Sequence, residues 1–147
     1  TMRFSPLSPV LLPSMQITAK TPFGNLGLPM SLVSRMSKLT NDPTALKIML
    51  KDGTSAGNFM SVKFLDSYMN YKPKYDLSSF SQCPVLLTQP AEDRWTPIEL
   101  SQPVLDRLNV PHQVVMLPHG GHYPVEAEAL EQLKQSSIAF IEQYTAQ

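Results

Sequence analysis

Hydrophobic and polar positions divide the chain into two parts of different character. Residues 1–81 contain no run that looks like a strand, and prolines and glycines interrupt them repeatedly. The spacing predicts helices that begin near Ser31 and at Pro43, and a clearer helix over about residues 59–71. Residues 82–147 instead alternate short apolar blocks with helical patterns. We therefore predict a helical region over residues 1–81 and an α/β region over residues 82–147.

Two strands are predicted in the second part. Val85–Thr88 and Gln113–Leu117 are short apolar runs with turn-forming residues on each side, the pattern of strands buried on both faces. Helical patterns follow them over about residues 97–109 and 125–144. A strand, a crossover helix and a second strand indicate a parallel pair. The predicted fold class is therefore α/β, with two parallel strands and flanking helices.

The crossover helix has a clear predicted start. Thr96, Pro97 and Glu99 form a capping-box pattern, in which Thr96 is the N-cap and Pro97 occupies the first helical position. Pro103 should kink this helix or mark its true start, because a proline inside a helix removes a hydrogen bond. Trp95 is expected to pack under the helical region, or at the seam between the two regions, rather than to touch a substrate.

Candidate chemistry lies at the ends of the two strands. Asp93 follows the first strand, and His122 follows the second, 29 residues later. One strand–helix–strand unit spans about 30 residues, so both side chains should emerge at the same edge of the sheet, where open α/β sheets keep their sites. An Asp that orients a His is the supporting pair of a nucleophile–His–acid triad. The alternatives are a surface carboxylate paired with Arg94 and an ordinary loop histidine.

The same residues carry a family resemblance. The run CPVLLTQPAED, ending at Asp93, and the run LPHGGH, ending at His122, resemble the last two strand ends of an α/β-hydrolase. One departure is Pro90, which stands where the family usually has glycine, so the turn before Asp93 must run at negative φ. A second departure is His119, which adds a ring ahead of the glycine pair. Neither departure removes a triad member.

The resemblance covers residues 83–144 and is strongest to the capped lipase, esterase and lysophospholipase branch. It implies that residues 1–81 are a helical cap and that residues 82–147 are the carboxyl-terminal part of the hydrolase core. The implied activity is hydrolysis of a small acyl ester without a cofactor, with Asp93 as the triad acid and His122 as the general base. The nucleophile and the oxyanion hole would belong to a missing amino-terminal half, so Ser, Cys and Asp all stay open as nucleophile. The alternative is a non-catalytic binding or assembly module derived from a hydrolase.

A Gly-x-Ser-x-Gly match at residues 53–57 places Ser55 as a further nucleophile candidate. Ser55, Asp93 and His122 follow the hydrolase order of nucleophile, acid and base. The context argues against Ser55, because a nucleophile elbow needs a preceding strand and the residues before Gly53 have helix and loop patterns. We expect a glycine-rich loop of the helical region there instead.

Composition excludes several other classes. Lys plus Arg and Asp plus Glu each total 12, and the basic residues form no patch interleaved with aromatics, so nucleic acid is not an expected partner. The single cysteine, Cys83, excludes an internal disulfide, is expected to be buried, and fits a cytoplasmic location. No Cys/His cluster indicates a metal site. No apolar run is long enough to span a membrane, and three prolines between residues 4 and 13 argue against a signal peptide.

The predicted sheet has an exposed edge. Two strands alone are marginal, and the strand over Val85–Thr88 would keep one unpaired row of backbone groups. We therefore expect the chain to self-associate or to bind the missing half.

Overall fold

The computed structural model describes residues 8–145. Its α-helices are α1 (Ser8–Ala19), α2 (Met30–Val33), α3 (Pro43–Lys51), α4 (Val62–Asn70), α5 (Gln102–Leu105) and α6 (Ala127–Thr145). Its strands are β1 (Gly27–Pro29), β2 (Phe59–Ser61), β3 (Val85–Pro90) and β4 (His112–Leu117). Short 3₁₀ turns lie at Pro22–Asn25, Met36–Lys38, Leu77–Ser79 and Ile98–Leu100.

The described chain forms two compact units. The carboxyl-terminal unit contains residues 74–145 and also the short segment Lys38–Asp42. The amino-terminal unit contains residues 8–37 and Pro43–Pro73. The division near Pro73, and the inclusion of Lys38–Asp42 with the later residues, differ from the predicted boundary at residue 81. Whether these units are a cap and a hydrolase core stays a prediction.

The amino-terminal unit packs α1 against α4, and its core consists of the buried side chains Met15, Ala19, Val62 and Leu65. Helix α1 was not predicted and continues through Pro13. Strands β1 and β2, also unpredicted, pair antiparallel, with Leu28 opposite Met60. Each has only three residues, which is too short for an alternating pattern to register, so their pairing depends on contacts between distant segments.

The helix predicted over residues 59–71 is correct from Val62 to Asn70. Its first three residues belong to β2, and Ser61 caps α4 by accepting a hydrogen bond from the backbone N–H of Phe64. Helix α3 begins at Pro43 as predicted.

The carboxyl-terminal unit confirms the α/β prediction. Strands β3 and β4 are parallel, with Val85 opposite His112 and Pro90 opposite Leu117. Helix α6 packs on both strands, and Leu117 and Ala129 are almost completely buried. The two strands therefore end level with each other, as the sequence predicted.

The connection between β3 and β4 is less helical than predicted. A 3₁₀ turn over Ile98–Leu100 is followed by the four-residue helix α5, which has Pro103 in its first turn. Pro103 therefore marks the true helix start. The predicted capping box is wrong, because Pro97 occupies the cap position of the 3₁₀ turn and the Thr96 hydroxyl binds elsewhere. Cys83 is exposed rather than buried, because it lies in the bend before β3.

Within residues 8–145, none of the helices combines the length and the apolar character needed to cross a membrane.

The glycines around Ser55 provide a matched pair of substitutions. A Cβ added at Gly57 would lie 2.6 Å from the carbonyl oxygen of Leu50, whereas one added at Gly53 would meet nothing within 4 Å. We expect Gly57→Ala to lower the free energy of unfolding by about 1–3 kcal/mol because the backbone must shift. Gly53→Ala should leave it unchanged or raise it by up to about 1 kcal/mol. Urea unfolding of both variants measures the difference, and equal effects would contradict the close approach at Gly57.

Candidate active site

The level ends of β3 and β4 bring two loops together. Beyond the last ladder pair, the N–H of Ala91 donates to the carbonyl of Leu117 at 2.8 Å, and the N–H of Glu92 donates to the carbonyl of Gly120 at 3.0 Å. Backbone hydrogen bonds therefore connect the loop that contains Asp93 to the loop that contains His122. Parallel strands in register make this possible, because their carboxyl ends lie at one edge of the sheet.

The loop after β4 begins with a tight turn. The N–H of Gly120 donates to the carbonyl of Leu117, with Pro118 and His119 between them. His119 has φ +57°, and a proline followed by a residue with positive φ is the arrangement of a type II turn. Among residues 8–145 no other non-glycine residue has positive φ, so the turn before Asp93 runs at negative φ, as Pro90 predicted.

The glycine pair is closely packed, and the contact at Gly121 leaves no room for a Cβ. A Cβ on Gly120 would lie 3.2 Å from Cβ of Ala129, and one on Gly121 would lie 2.8 Å from the backbone nitrogen of Asn41. The segment Lys38–Asp42 therefore lies directly against the histidine loop. It also binds both loops, because the N–H of Tyr123 donates to the carbonyl of Leu39 at 2.7 Å and Asn41 Nδ2 donates to the carbonyl of Glu92 at 3.2 Å.

The Asp93 carboxylate is buried, with only 2% of its side chain exposed. Its Oδ1 accepts hydrogen bonds from the backbone N–H groups of Trp95 and Thr96, both at 2.8 Å. Its Oδ2 lies 2.9 Å from both the Thr96 hydroxyl and His122 Nδ1. Burial raises the pKa of Asp93, but the hydrogen bonds from His122, Thr96 and Trp95 together outweigh burial and hold this pKa below its usual value. Asp93 is therefore ionised at neutral pH.

The contact predicted between Asp93 and His122 is present. An ionised carboxylate can only accept hydrogen bonds, so the 2.9 Å contact places a hydrogen on His122 Nδ1. In the neutral ring, Nε2 then carries a lone pair, which is the state that a general base needs. The geometry matches the acid–base half of a triad, while the catalytic roles of both residues stay a prediction.

Two aromatic rings flank the imidazole of His122, whose side chain is 28% exposed. The ring of Trp95 meets that of His122 edge-on, with 4.5 Å between centroids, and the ring of Tyr123 lies 5.3 Å away. Trp95 is buried, and its Nε1 has no hydrogen-bond partner within the described chain. The sequence did not predict this contact between Trp95 and the His122 ring.

A buried glutamine holds the Asp93 loop at its base. Gln89 is 4% exposed, and its Nε2 donates to the carbonyls of Pro90 and Thr96, both at 3.2 Å. The loop from Pro90 to Thr96 is thus closed from inside by one side chain, in addition to the hydrogen bonds to Asp93.

Ser55 does not have the setting of a nucleophile elbow. It lies in a turn directly after α3, is exposed, and donates its hydroxyl to the carbonyl of Met49 at 3.4 Å. Asp52 organises this turn by accepting hydrogen bonds from the N–H and the hydroxyl of Thr54. The glycine-rich match is therefore a helix-to-strand turn.

The remaining histidines lie outside the buried pair. His119 is exposed, and its Nδ1 lies 3.1 Å from Glu92 Oε1. His112 is an exposed residue at the start of β4. Among residues 8–145, no group of three or more His, Cys, Asp or Glu side chains is arranged to hold a metal ion.

Sequence reasoning missed three supports of the site: Thr96, Gln89 and the segment Lys38–Asp42. Thr96 was assigned to helix capping, since a threonine before a proline can either cap a helix or bind a nearby carboxylate, as it does here with Asp93. Gln89 was missed because the predicted strand ended at Thr88, which left this glutamine in the following turn, whereas β3 continues to Pro90. The sequence around Lys38–Asp42 contains no signal for its role.

Comparison with solved structures gives a likeness in fold. The crystal structure of a monoacylglycerol lipase from Paleococcus ferrophilus matches 97% of this chain with a TM-score of 0.62 and 20% sequence identity. The chain spans 56% of the length of that lipase. No protein-family model matches the sequence, and a search of curated proteins gave no match. The likeness therefore concerns the fold alone.

The buried carboxylate predicts a pH dependence of stability. Because the pKa of Asp93 is lowered in the folded chain, its ionisation stabilises the fold above the unfolded-state value of about 3.9, and this contribution is lost as the pH falls through the folded-state pKa. Asp93→Asn should lower the free energy of unfolding at pH 7 by about 2 kcal/mol, since hydrogen bonds to a charged acceptor are lost. The variant should also lose less stability than the wild type between about pH 5 and pH 3.

Urea unfolding over this pH range measures both effects. Glu99→Gln is the matched control, because Glu99 is an exposed carboxylate in the same connection. Parallel pH profiles for the wild type and Asp93→Asn would contradict the stabilising role of the ionised carboxylate.

Proposed function

We propose that this chain is the carboxyl-terminal portion of an α/β-hydrolase that cleaves an ester or a related acyl bond. Asp93 would be the triad acid and His122 the general base. The observation that carries the proposal is the 2.9 Å contact between the buried Asp93 carboxylate and His122 Nδ1. It sits at the carboxyl ends of two parallel strands, where α/β folds place their chemistry.

The proposed chemistry follows from the proton on Nδ1. His122 Nε2 would accept the proton of an attacking nucleophile and later return a proton to the leaving alcohol. Asp93 would orient the ring and stabilise the imidazolium that forms between these steps. Trp95 and Tyr123 flank the imidazole and would limit the access of water to it.

The nucleophile and the oxyanion hole would come from an amino-terminal half of the hydrolase. Two observations support this. Ser55 lies in a helix-to-strand turn rather than at a strand end, and the chain spans 56% of the lipase that it resembles in fold. The amino-terminal unit would then be the helical cap of the hydrolase. The substrate class is a small acyl ester, in keeping with the fold likeness to a monoacylglycerol lipase.

The test compares this chain with a longer polypeptide that includes the preceding coding sequence of the source gene. The longer protein should hydrolyse p-nitrophenyl esters of short fatty acids, and His122→Gln should lower kcat by about 10³-fold or more, because the general base is lost. His112→Gln is the control, since His112 is an exposed strand residue. The chain alone should show no turnover above background. If it turns over these esters and Ser55→Ala abolishes the activity, the missing-half proposal is wrong.

The open edge of β3 leads to a prediction on assembly. Within residues 8–145, β3 pairs with β4 alone, and Val114 and Met116 on β4 are 42% and 44% exposed. An edge strand beside exposed apolar side chains is a template for pairing. We therefore expect the isolated chain to self-associate and the longer polypeptide to be monomeric. Sedimentation at several concentrations measures both, and a stable monomer of the isolated chain at micromolar concentration would contradict the expectation.

A further inference from the structure

The Thr96 hydroxyl lies between the two members of the candidate pair. Its oxygen is 2.9 Å from Asp93 Oδ2 and 2.9 Å from His122 Nδ1, while those two atoms are themselves 2.9 Å apart. The three polar atoms therefore form a nearly equilateral triangle. A threonine that served only as a helix cap would not contact the imidazole, so the contact with His122 indicates a second role for this hydroxyl.

Proton counting assigns the direction of each hydrogen bond. Two hydrogens are available to the triangle, one on the Thr96 hydroxyl and one on His122 Nδ1, because the Asp93 carboxylate is ionised. If the hydroxyl donated to a bare Nδ1, the nitrogen lone pair would face a carboxylate oxygen at 2.9 Å, which is repulsive. The hydroxyl must therefore donate to Asp93 Oδ2. Nδ1–H also points to Oδ2, with the Thr96 oxygen as a second, shared acceptor.

The hydroxyl can be separated from the fold of the loop. The backbone of Thr96 is held independently, since its N–H donates to Asp93 Oδ1 at 2.8 Å and its carbonyl accepts from Gln89 at 3.2 Å. Valine has nearly the same shape as threonine and retains both backbone bonds. Removing the hydroxyl therefore removes two side-chain contacts and leaves the loop closure in place.

We propose that Thr96 is a positioning residue, whose hydroxyl donates to Asp93 Oδ2 and shares the Nδ1–H of His122, fixing the ring with Nε2 turned away from the carboxylate. The catalytic meaning of this role rests on the proposed function. The positioning role does not rest on the proposed function, because it concerns only where the proton of His122 lies and how the His122 ring is oriented.

Other ionisable groups near the pair are few in the described contacts. The Tyr123 ring faces the imidazole at 5.3 Å. Glu92, next to Asp93 in sequence, pairs with His119 on the surface. Any titration of the pair must therefore be measured at Asp93 and His122 themselves, by signals that Tyr123 and His119 do not share.

The test uses the 147-residue chain labelled with ¹⁵N in histidine and ¹³C in aspartate. In the wild type at neutral pH, long-range ¹H–¹⁵N spectra should show His122 as the Nδ1–H tautomer. In Thr96→Val, the titration midpoint of Asp93 should rise, and the Nδ1–H should exchange with water about fivefold faster, the factor for one ordinary hydrogen bond. Thr96→Ser, which restores a hydroxyl, should return both values toward those of the wild type.

Thr88→Val is the matched control, because Thr88 lies on β3 outside the triangle. It should change neither value. The proposal is overturned if Thr96→Val folds and leaves both values unchanged, or if Thr96→Ser behaves like Thr96→Val. The tautomer needs no variant, so an Nε2–H tautomer in the wild type would overturn the proton assignment even if Thr96→Val failed to fold. None of these measurements depends on esterase activity, so a failed activity test would leave this proposal standing.

Discussion

Burying an ionised carboxylate costs free energy, and the hydrogen bonds that the surrounding loops make to Asp93 offset this cost. Removing an ionised carboxylate from water costs several kcal/mol, and each hydrogen bond to a charged group returns about 1.5–3 kcal/mol. Asp93 accepts bonds from two backbone N–H groups, one hydroxyl and one imidazole. Three of these four donors come from Trp95 and Thr96, so the loop after β3 folds back on its own aspartate. The fourth donor must come from the loop after β4, which explains why the two strand ends have to be level.

The hydrogen bond between Asp93 and His122 also depends on parts of the chain that contain no candidate catalytic residue. The histidine loop reaches Asp93 only because Gly121 leaves room for the backbone of Asn41, where a Cβ would lie at 2.8 Å. The segment Lys38–Asp42 then binds the backbone of both loops through Leu39 and Asn41. A histidine on a loop held from two sides has few orientations available. Such rigidity is what the general-base role proposed for His122 would require.

The local conformations around the site show where the chain departs from its easiest geometry. His119 adopts a left-handed conformation that a non-glycine residue reaches at some cost. The turn in which it lies carries the chain from β4 toward Gly120 and then to His122. Gln89 is the complementary feature, because a buried amide inside a strand binds the carbonyls at both ends of the aspartate loop. Both residues shape the loops without touching the imidazole.

The sequence by itself determined the features that depend on local pattern. Two apolar blocks with turns on each side predicted β3 and β4, and their separation predicted that Asp93 and His122 would meet, because parallel strands one crossover apart must end at the same edge. It also predicted that Pro43 begins a helix, that Pro103 either kinks its helix or begins it, and that the turn before Asp93 runs at negative φ, since a proline restricts its own residue.

Only the tertiary structure decided the rest. Thr96 follows a capping pattern, and its hydroxyl turned toward the carboxylate because an unpaired buried charge is a stronger demand than a helix cap. The β1–β2 ribbon and the Asn41–Glu92 contact join segments that are distant in sequence, the latter by 51 residues. Such contacts form because compact packing brings the segments together, and they cannot be predicted from the hydrophobic pattern within either segment.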